Sequence, residues 1–384
     1  MTTRWIRVAL IAGCLSLAGV ARAQDPGCNG PMRPGPLRGD MAPPGPGGDL
    51  SLSADTPNAF DPQCPKHRSG YCCNGMWFSA EALLWWFRDP GLPPVASAGG
   101  TGVVGVATTT TVVEGADLDV NPLAGARASA GFWLNSDRSM SIEATGFTTE
   151  RGGGNVSLLS TAGQPVFVPF LTAAGAEAAL PTTAGGGVVV DGAERLWGVE
   201  CNFVCLSELC CHDVALFFGY RYLDLSESLA INATVAGGTT TDHFATRNQL
   251  NGGQVGIRAG KQFGSIFFGV QAEGAAGTNH EFVNIAGTTT AAGGATTPIG
   301  TFATAANSGR FGQSRFAYIA QATGKLGWQV NRNLMLYVGY DYLGWYRALR
   351  PADQIDRHIN NPQVPLSQSY FWAQGGNAGF ELRY

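Results

Sequence analysis

Charge is what this sequence has least of: Asp, Glu, Lys and Arg make up 14% of its 384 residues, where soluble domains carry about 25%. So few ionisable groups cannot furnish a surface that faces water on all sides. Positive charge is not in excess either. The chain has 24 basic and 28 acidic residues and a net charge of −4, which leaves no electrostatic footprint for a polyanion and excludes a nucleic-acid binder. Long apolar runs are missing after residue 23, and without the ~20 residues of a spanning helix a membrane-embedded chain must be a closed barrel, which satisfies every backbone polar group between strands. Reactive groupings are lacking too. His67, His212, His243, His280 and His358 are dispersed, with no HExxH spacing and no serine, histidine and aspartate set. Gly100 to Gly105 spells GxGxxG, but it neither follows a strand-like segment nor opens a helix, so it reads as a loop. No enzyme, cofactor or metal site is expected.

Glycine and aromatics are plentiful: 54 Gly, 20 Phe, 10 Tyr and 9 Trp. No Gly-X-Y period runs through the glycines, and this much aromatic surface argues against a disordered chain. Three segments follow from texture. In residues 1–23, Arg4 and Arg7 precede an apolar core from Val8 to Val20 and the small-x-small site Ala21-Arg22-Ala23, the plan of an export signal. A lipobox reading of Ile11-Ala12-Gly13-Cys14 competes, but its apolar run is short. Residues 24–75 are a Pro- and Gly-rich, Cys-containing periplasmic segment: residues 24–65 alone hold ten of the 21 prolines, which suits an extended tail.

From 76 to 384 the chain alternates with period two. Ten segments do so: 76–88, 123–135, 139–151, 193–206, 212–225, 245–261, 264–276, 315–330, 334–345 and a last one ending 380–384. In the first, Phe78, Ala80, Ala82, Leu84 and Trp86 share a face opposite Ser79 and Glu81; in the second, Ala124 through Leu134 oppose Arg127 and Ser129. Connections alternate between short (136–138, 207–211, 262–263, 331–333) and long (89–122, 152–192, 226–244, 277–314, 346–370). Short turns on one side and long loops on the other, with an even strand count, predict an all-β fold: a closed antiparallel up-and-down transmembrane β-barrel in the outer membrane, surrounded by its lipid. A hairpin over 228–246 around Gly237-Gly238 would raise the count from ten to twelve. The long loops, rich in Gly, Ala, Thr and Val, are expected to be mobile or loosely paired. The aromatic end of the last strand, Tyr384, resembles the sorting signal read by the barrel assembly machinery.

The polar faces then point into the lumen. They carry Arg127, Arg221, Arg258, Arg315, Lys325 and Arg383 against Glu81, Glu143, Glu194, Glu200, Asp213, Glu273, Asp341 and Glu381. Mixed signs allow two arrangements, an aqueous path with a weak cation preference or ion pairs that plug the bore. Ten to twelve strands lie between the filled barrels of ~8 and the channels of 16 to 18. Eight cysteines follow the signal in two groups, Cys28, Cys64, Cys72 and Cys73 before the first strand and Cys201, Cys205, Cys210 and Cys211 about the fourth turn. Disulfides tying the tail to the barrel base are the expected use in an oxidising compartment; zinc with His212 is the lesser alternative, because adjacent cysteines lack CxxC geometry.

WFSAEALLWWFR (77–88), GYRYLDLSE (219–227), DHFATRNQLNGGQVG (242–256), RALRPADQID (347–356) and GFELRY (379–384) together resemble the beta-barrel porin family found chiefly in planctomycete-type bacteria. The resemblance covers about 76–384 and is most specific in Asp242–Gly256 and Arg350–Asp356. It implies an outer-membrane barrel and brings no catalytic residue or substrate with it. The function expected is porin-like passage of small solutes or ions; the alternative is a non-conducting structural or adhesive barrel with partner-binding external loops.

Overall fold

The computed structural model describes residues 75–384 apart from 119–121, 137, 210–211 and 361. The export signal, the segment up to residue 74 with its four cysteines, and Cys210 and Cys211 lie outside the described residues. Ten strands carry the fold: β1 (Met76–Phe87), β2 (Leu123–Trp133), β3 (Met140–Thr149), β4 (Gly187–Leu209), β5 (His212–Val235), β6 (Gly238–Phe263), β7 (Ile266–Ala291), β8 (Gly309–Gln329), β9 (Leu334–Leu349) and β10 (Gln368–Arg383). Each pairs antiparallel with its neighbours in sequence, and β10 closes on β1, from Trp77 opposite Arg383 to Phe87 opposite Ala373. The sheet therefore has no open edge around its circumference, and every strand's hydrogen bonds are met by two others.

Alternation fixes which side of the wall each residue occupies. Phe78, Leu84 and Trp86 on β1, Phe132 on β2, Val199 on β4, Val255 and Ile257 on β6, Phe268 and Val270 on β7 and Val338 on β9 are exposed on the outside. Ser79, Glu81, Arg127, Glu143, Arg221, Glu273 and Asp341 are buried inside. A continuous apolar belt around a closed ring with ionisable groups within is the inverse of a water-soluble protein, and the medium that matches it is lipid.

Ten is the ring count. The hairpin over 228–246 forms, but as the continuation of β5 and β6 and not as two added strands: pairing runs unbroken from Asp213 opposite Gly260 to Val235 opposite Gly238. Its tip needs glycine, since Gly237 and Gly238 sit at φ 109 and 151. β5, β6 and β7 have 24, 26 and 26 residues, about twice the 9 to 11 that cross a bilayer, so their far halves stand beyond the belt. The segments 226–244 and 277–314, expected as loops, are largely these extensions.

The remaining long connections are packed, contrary to the expectation of loose loops. Thr111–Gly115, Leu92–Ala98, Val166–Leu171 and Glu177–Pro181 make a four-stranded antiparallel sheet in that spatial order. Leu92, Val95, Val113, Val166 and Val168 share a buried core with Leu229, Ile231, Phe244, Val283 and Ile285 of the strand extensions. The physical reason is that overlong strands leave apolar inner faces beyond the membrane, and valines spaced two apart in a Gly-rich loop supply the matching face. Gly100 to Gly105 lies in the turn of this cap, between two antiparallel strands and before no helix.

Candidate functional site

The inward residues of the membrane-level wall meet one another across the bore. Arg127 on β2 reaches Asp341 on β9 (Nη2 to Oδ2, 3.0 Å) and Glu81 on β1 (Nη1 to Oε2, 3.4 Å), and Lys325 on β8 closes on the other oxygen of Glu81 at 3.3 Å. Asp341 also accepts hydrogen bonds from Thr323 Oγ1 and Asn377 Nδ2, both at 2.8 Å. Arg258 on β6 holds Glu143 on β3 through both guanidinium nitrogens, 3.0 Å each. Arg221 on β5 bonds Glu273 Oε1 at 2.9 Å, lies 3.9 Å from Glu200 and donates to Gln321 on β8. These contacts are chords: β2 to β9, β3 to β6 and β5 to β8 are not adjacent strands. A bore wide enough for water and ions would keep such side chains apart, whereas a narrow one lets a guanidinium cross it.

Aromatic rings support the same layer, with the Arg127 guanidinium 5.5 Å from the ring of Trp85 and that of Arg258 5.6 Å from Phe217. Toward the long-loop end the interior turns apolar. Leu83, Trp85, Phe87, Leu196, Leu223, Leu250, Ile319, Leu343, Trp345 and Phe371 form one buried cluster across the barrel. On β1, Ser79 and Glu81 stand inside, and further up the strand Leu83 and Trp85 occupy the inward positions. That signal was visible in LLWWF, apolar on both faces.

Above this layer the connection 350–367 folds back into the barrel mouth as a strap. Arg350, which follows β9, is 1% exposed and meets carboxylates from the opposite side of the ring, Glu227 of β5 at 2.6 Å and Glu194 of β4 at 3.9 Å. Its remaining donors go to the carbonyls of Asp89 (2.7 Å) and Arg88 (2.8 Å). Asn248 of β6 brackets Leu349, donating to its carbonyl at 2.8 Å and accepting from its N–H at 2.7 Å. Asp242 of the same strand accepts the N–H groups of Thr301, Phe302 and Ala303 at 3.2, 2.9 and 2.7 Å. The two segments most specific in the sequence thus each supply fastenings of this end of the barrel, Asp242 and Asn248 from one and Arg350 from the other. Arg350 and Glu227 were missed as interior residues because they lie in 346–370 and 226–244, stretches read as loops, and Asn248, inside the strand segment 245–261, carries no charge to mark an inward face; for Arg350 and Asn248, membership in the two most specific segments was the available signal.

The other expected lumen residues scatter. Glu381 and Arg383 pair with each other at 2.7 Å near the short-turn rim. Arg315, exposed, bonds Gln313 at 3.1 Å near the long-loop mouth and stays outside the chords. Glu194 serves the strap instead of the membrane-level layer. Asp213 stands in β5 opposite Gly260 and Glu208. Below the ionic layer a cavity of about 430 Å³ opens toward the short-turn rim, lined by Trp77, Glu81, Arg127, Arg258, Lys325 and Glu381 among others. Of the cysteines, Cys201 faces outward in the apolar belt of β4, opposite Ala144 and Tyr220, which takes it out of the group expected at the barrel base.

A family model described as Putative beta barrel porin-7 (BBP7) matches residues 77–384. No curated protein matches the chain. Among solved structures it is similar to the outer membrane protease OmpT of Escherichia coli, at 11% identity over 83% of this chain and 99% of that one with a TM-score of 0.46. It is similar to the translocator domain of the autotransporter NalP of Neisseria meningitidis, at 8% identity over 82% and 90% with a TM-score of 0.30. A FadL homologue of Pseudomonas aeruginosa matches at 5% identity over 81% and 90% with a TM-score of 0.20. At such identities nothing of what those proteins do carries over.

Proposed function

We propose, from the premise that the chain belongs to the beta barrel porin-7 family, that this outer-membrane β-barrel is closed at rest and works through its capped long-loop end, as a structural or adhesive barrel and not as an open porin. The observation that carries this reading is the succession of three seals along one axis: the ionic chords of Arg127, Arg221 and Arg258, the apolar layer around Trp85 and Trp345, and the strap fastened by Arg350. Any one of them would be an incomplete barrier. Together they oppose the passage of an ion, because a crossing would demand desolvation in the apolar layer. In this reading residues 1–23 export the chain, the short turns face the periplasm and the cap faces outward, where it is available to partners.

A second reading, porin-like passage with the strap as its gate, is favoured by the polar cavity of about 430 Å³ that reaches the ionic layer from the short-turn side. Single-channel recording in planar bilayers separates the two. Purified protein, with insertion verified by heat-modifiable gel mobility, should give a silent bilayer. Stepwise conductance from the unaltered protein would overturn the closed reading, and conductance arising only in Arg350→Ala, Asn248→Ala would establish the gated one.

A further inference from the structure

The outer wall carries a feature that the closed lumen does not explain. On the lipid side of β10, β1, β2, β3 and β4 a shallow groove of about 650 Å³ is floored by Ala80, Ala82, Ala126, Ala128 and Val199 and ends at Thr148 and Trp197. Its floor is mostly alanine and glycine, so the wall is locally recessed.

Immediately beyond Thr148 and Trp197, on the long-loop side, stand two arginines. Gly152 and Glu194 bridge antiparallel, which sets Arg151 opposite Arg195. Both are exposed. Arg195 donates to Thr148 Oγ1 at 3.2 Å and Arg151 to Ser228 Oγ at 3.0 Å, and among the described residues no carboxylate lies within 4.0 Å of either. Of the two acids adjacent in sequence, Glu150 turns its Oε1 to the N–H of Ala124 at 2.9 Å, and Glu194 is buried and faces Arg350. On β6, beyond β5, Arg247 is already matched by Asp224 at 2.7 Å. Like charges directly opposite each other destabilise a strand pair, so two arginines left without a counter-charge at a membrane boundary call for an anion from outside the protein. Trp197 between groove and arginines marks the boundary level, packed on Tyr222 with ring centroids 5.1 Å apart.

We propose that this groove and arginine pair bind one anionic phospholipid of the leaflet on the long-loop side, with acyl chain along the alanine floor and phosphate between Arg151 and Arg195. Apolar recess and cationic head site lie in the order and orientation that a lipid in a bilayer presents. The inference rests on the barrel lying in a membrane and holds whether or not the lumen conducts.

The test is native mass spectrometry of the full-length protein released from neutral detergent, titrated with phosphatidylglycerol and with phosphatidylcholine of identical acyl chains. Retention of phosphatidylglycerol should exceed that of phosphatidylcholine about tenfold, the scale expected of two arginines beside one phosphate. Arg151→Gln, Arg195→Gln should abolish that preference, while Arg138→Gln, Arg332→Gln at the opposite rim should leave it unchanged. Ala82→Trp, Ala126→Trp, which fill the groove with residues suited to lipid, should lower retention of both lipids with the arginines intact. Heat-modifiable mobility of every variant reports an assembled barrel. Equal retention of the two lipids by the unaltered protein, a preference that survives loss of both arginines, or equal loss in the opposite-rim variant would each overturn the proposal; displacement of the lipid by millimolar inorganic phosphate would overturn its acyl part.

Discussion

Arg350 shows how much one side chain decides at the residue scale. It brings a single positive charge to two buried carboxylates, and Glu194 Oε1 and Glu227 Oε2 have no other hydrogen-bond partner. Arg350→Ala therefore leaves two acids unpaired, and stranding a buried charge costs about 3–5 kcal/mol. The temperature at which the heat-modifiable band shifts should fall clearly. Arg350→Lys should recover only part of the loss, because a lysine cannot reproduce the fork that also serves the carbonyls of Arg88 and Asp89. A second residue-scale prediction tests the wall's sidedness. Ala128 is exposed to lipid, whereas Ser129 lines the polar cavity and accepts a hydrogen bond from Thr145 at 2.9 Å. Ala128→Arg or Ala322→Arg places a cation in the belt at about 2 to 4 kcal/mol and should reduce the yield of assembled barrel, while Ser129→Arg should assemble nearly as well as the unaltered protein.

At the scale of elements the strap is the informative piece. It is tied to the cap by Arg357 and Glu177 (3.0 and 2.6 Å) and to β8 by Gln313 and the Leu366 carbonyl at 3.2 Å. Its turn is organised by Asp356. Burial pushes that carboxyl up, but the N–H groups of Gln363 and His358 and the His358 ring more than offset it and hold the group below the ordinary carboxylate range. A folded value below the unfolded ~3.9 means that the carboxylate's contribution is fully present above about pH 5 and is lost as pH falls through the folded value. Hydrogen exchange across 350–367, corrected for the intrinsic rate, should be level from pH 8 to 5 and accelerate below about pH 4. Asp356→Asn should show the faster exchange at every pH and little acid dependence.

At the scale of the whole molecule the three chords act together. Glu143 faces Arg258 across the bore, and Arg221 is held by Glu273 two strands away and by Glu200 on the adjacent strand. Changing all three to Gln leaves two guanidinium groups without a carboxylate inside a narrow barrel, so the expected outcome is a lower melting temperature in heat-modifiability gels together with a bilayer leak, and not a shift in ion selectivity. Unchanged stability with a silent bilayer would mean that the chords do not hold the ring closed.

Sequence alone determined the wall. Period-two alternation has to be resolved into an inside and an outside, and in a chain so poor in charge only one medium accepts the apolar side, so all ten ring strands, their neighbours and the inward placement of Glu81, Arg127, Arg221, Arg258, Glu273 and Asp341 could be read from local pattern. What local pattern cannot carry is distance across the bore. Whether Arg127 faces water or Asp341 depends on the diameter and shear of the closed ring, a property of all ten strands at once. The same limit hid the extensions of β5 to β7, where Thr and Gly weaken the alternation, and the cap, whose strands find one another only once the ring brings residues 92–98 and 166–171 together. Tertiary structure alone decided which inward charges meet, because ion pairs such as Arg350 with Glu227 join residues 123 apart in the chain and exist only where the ring has closed.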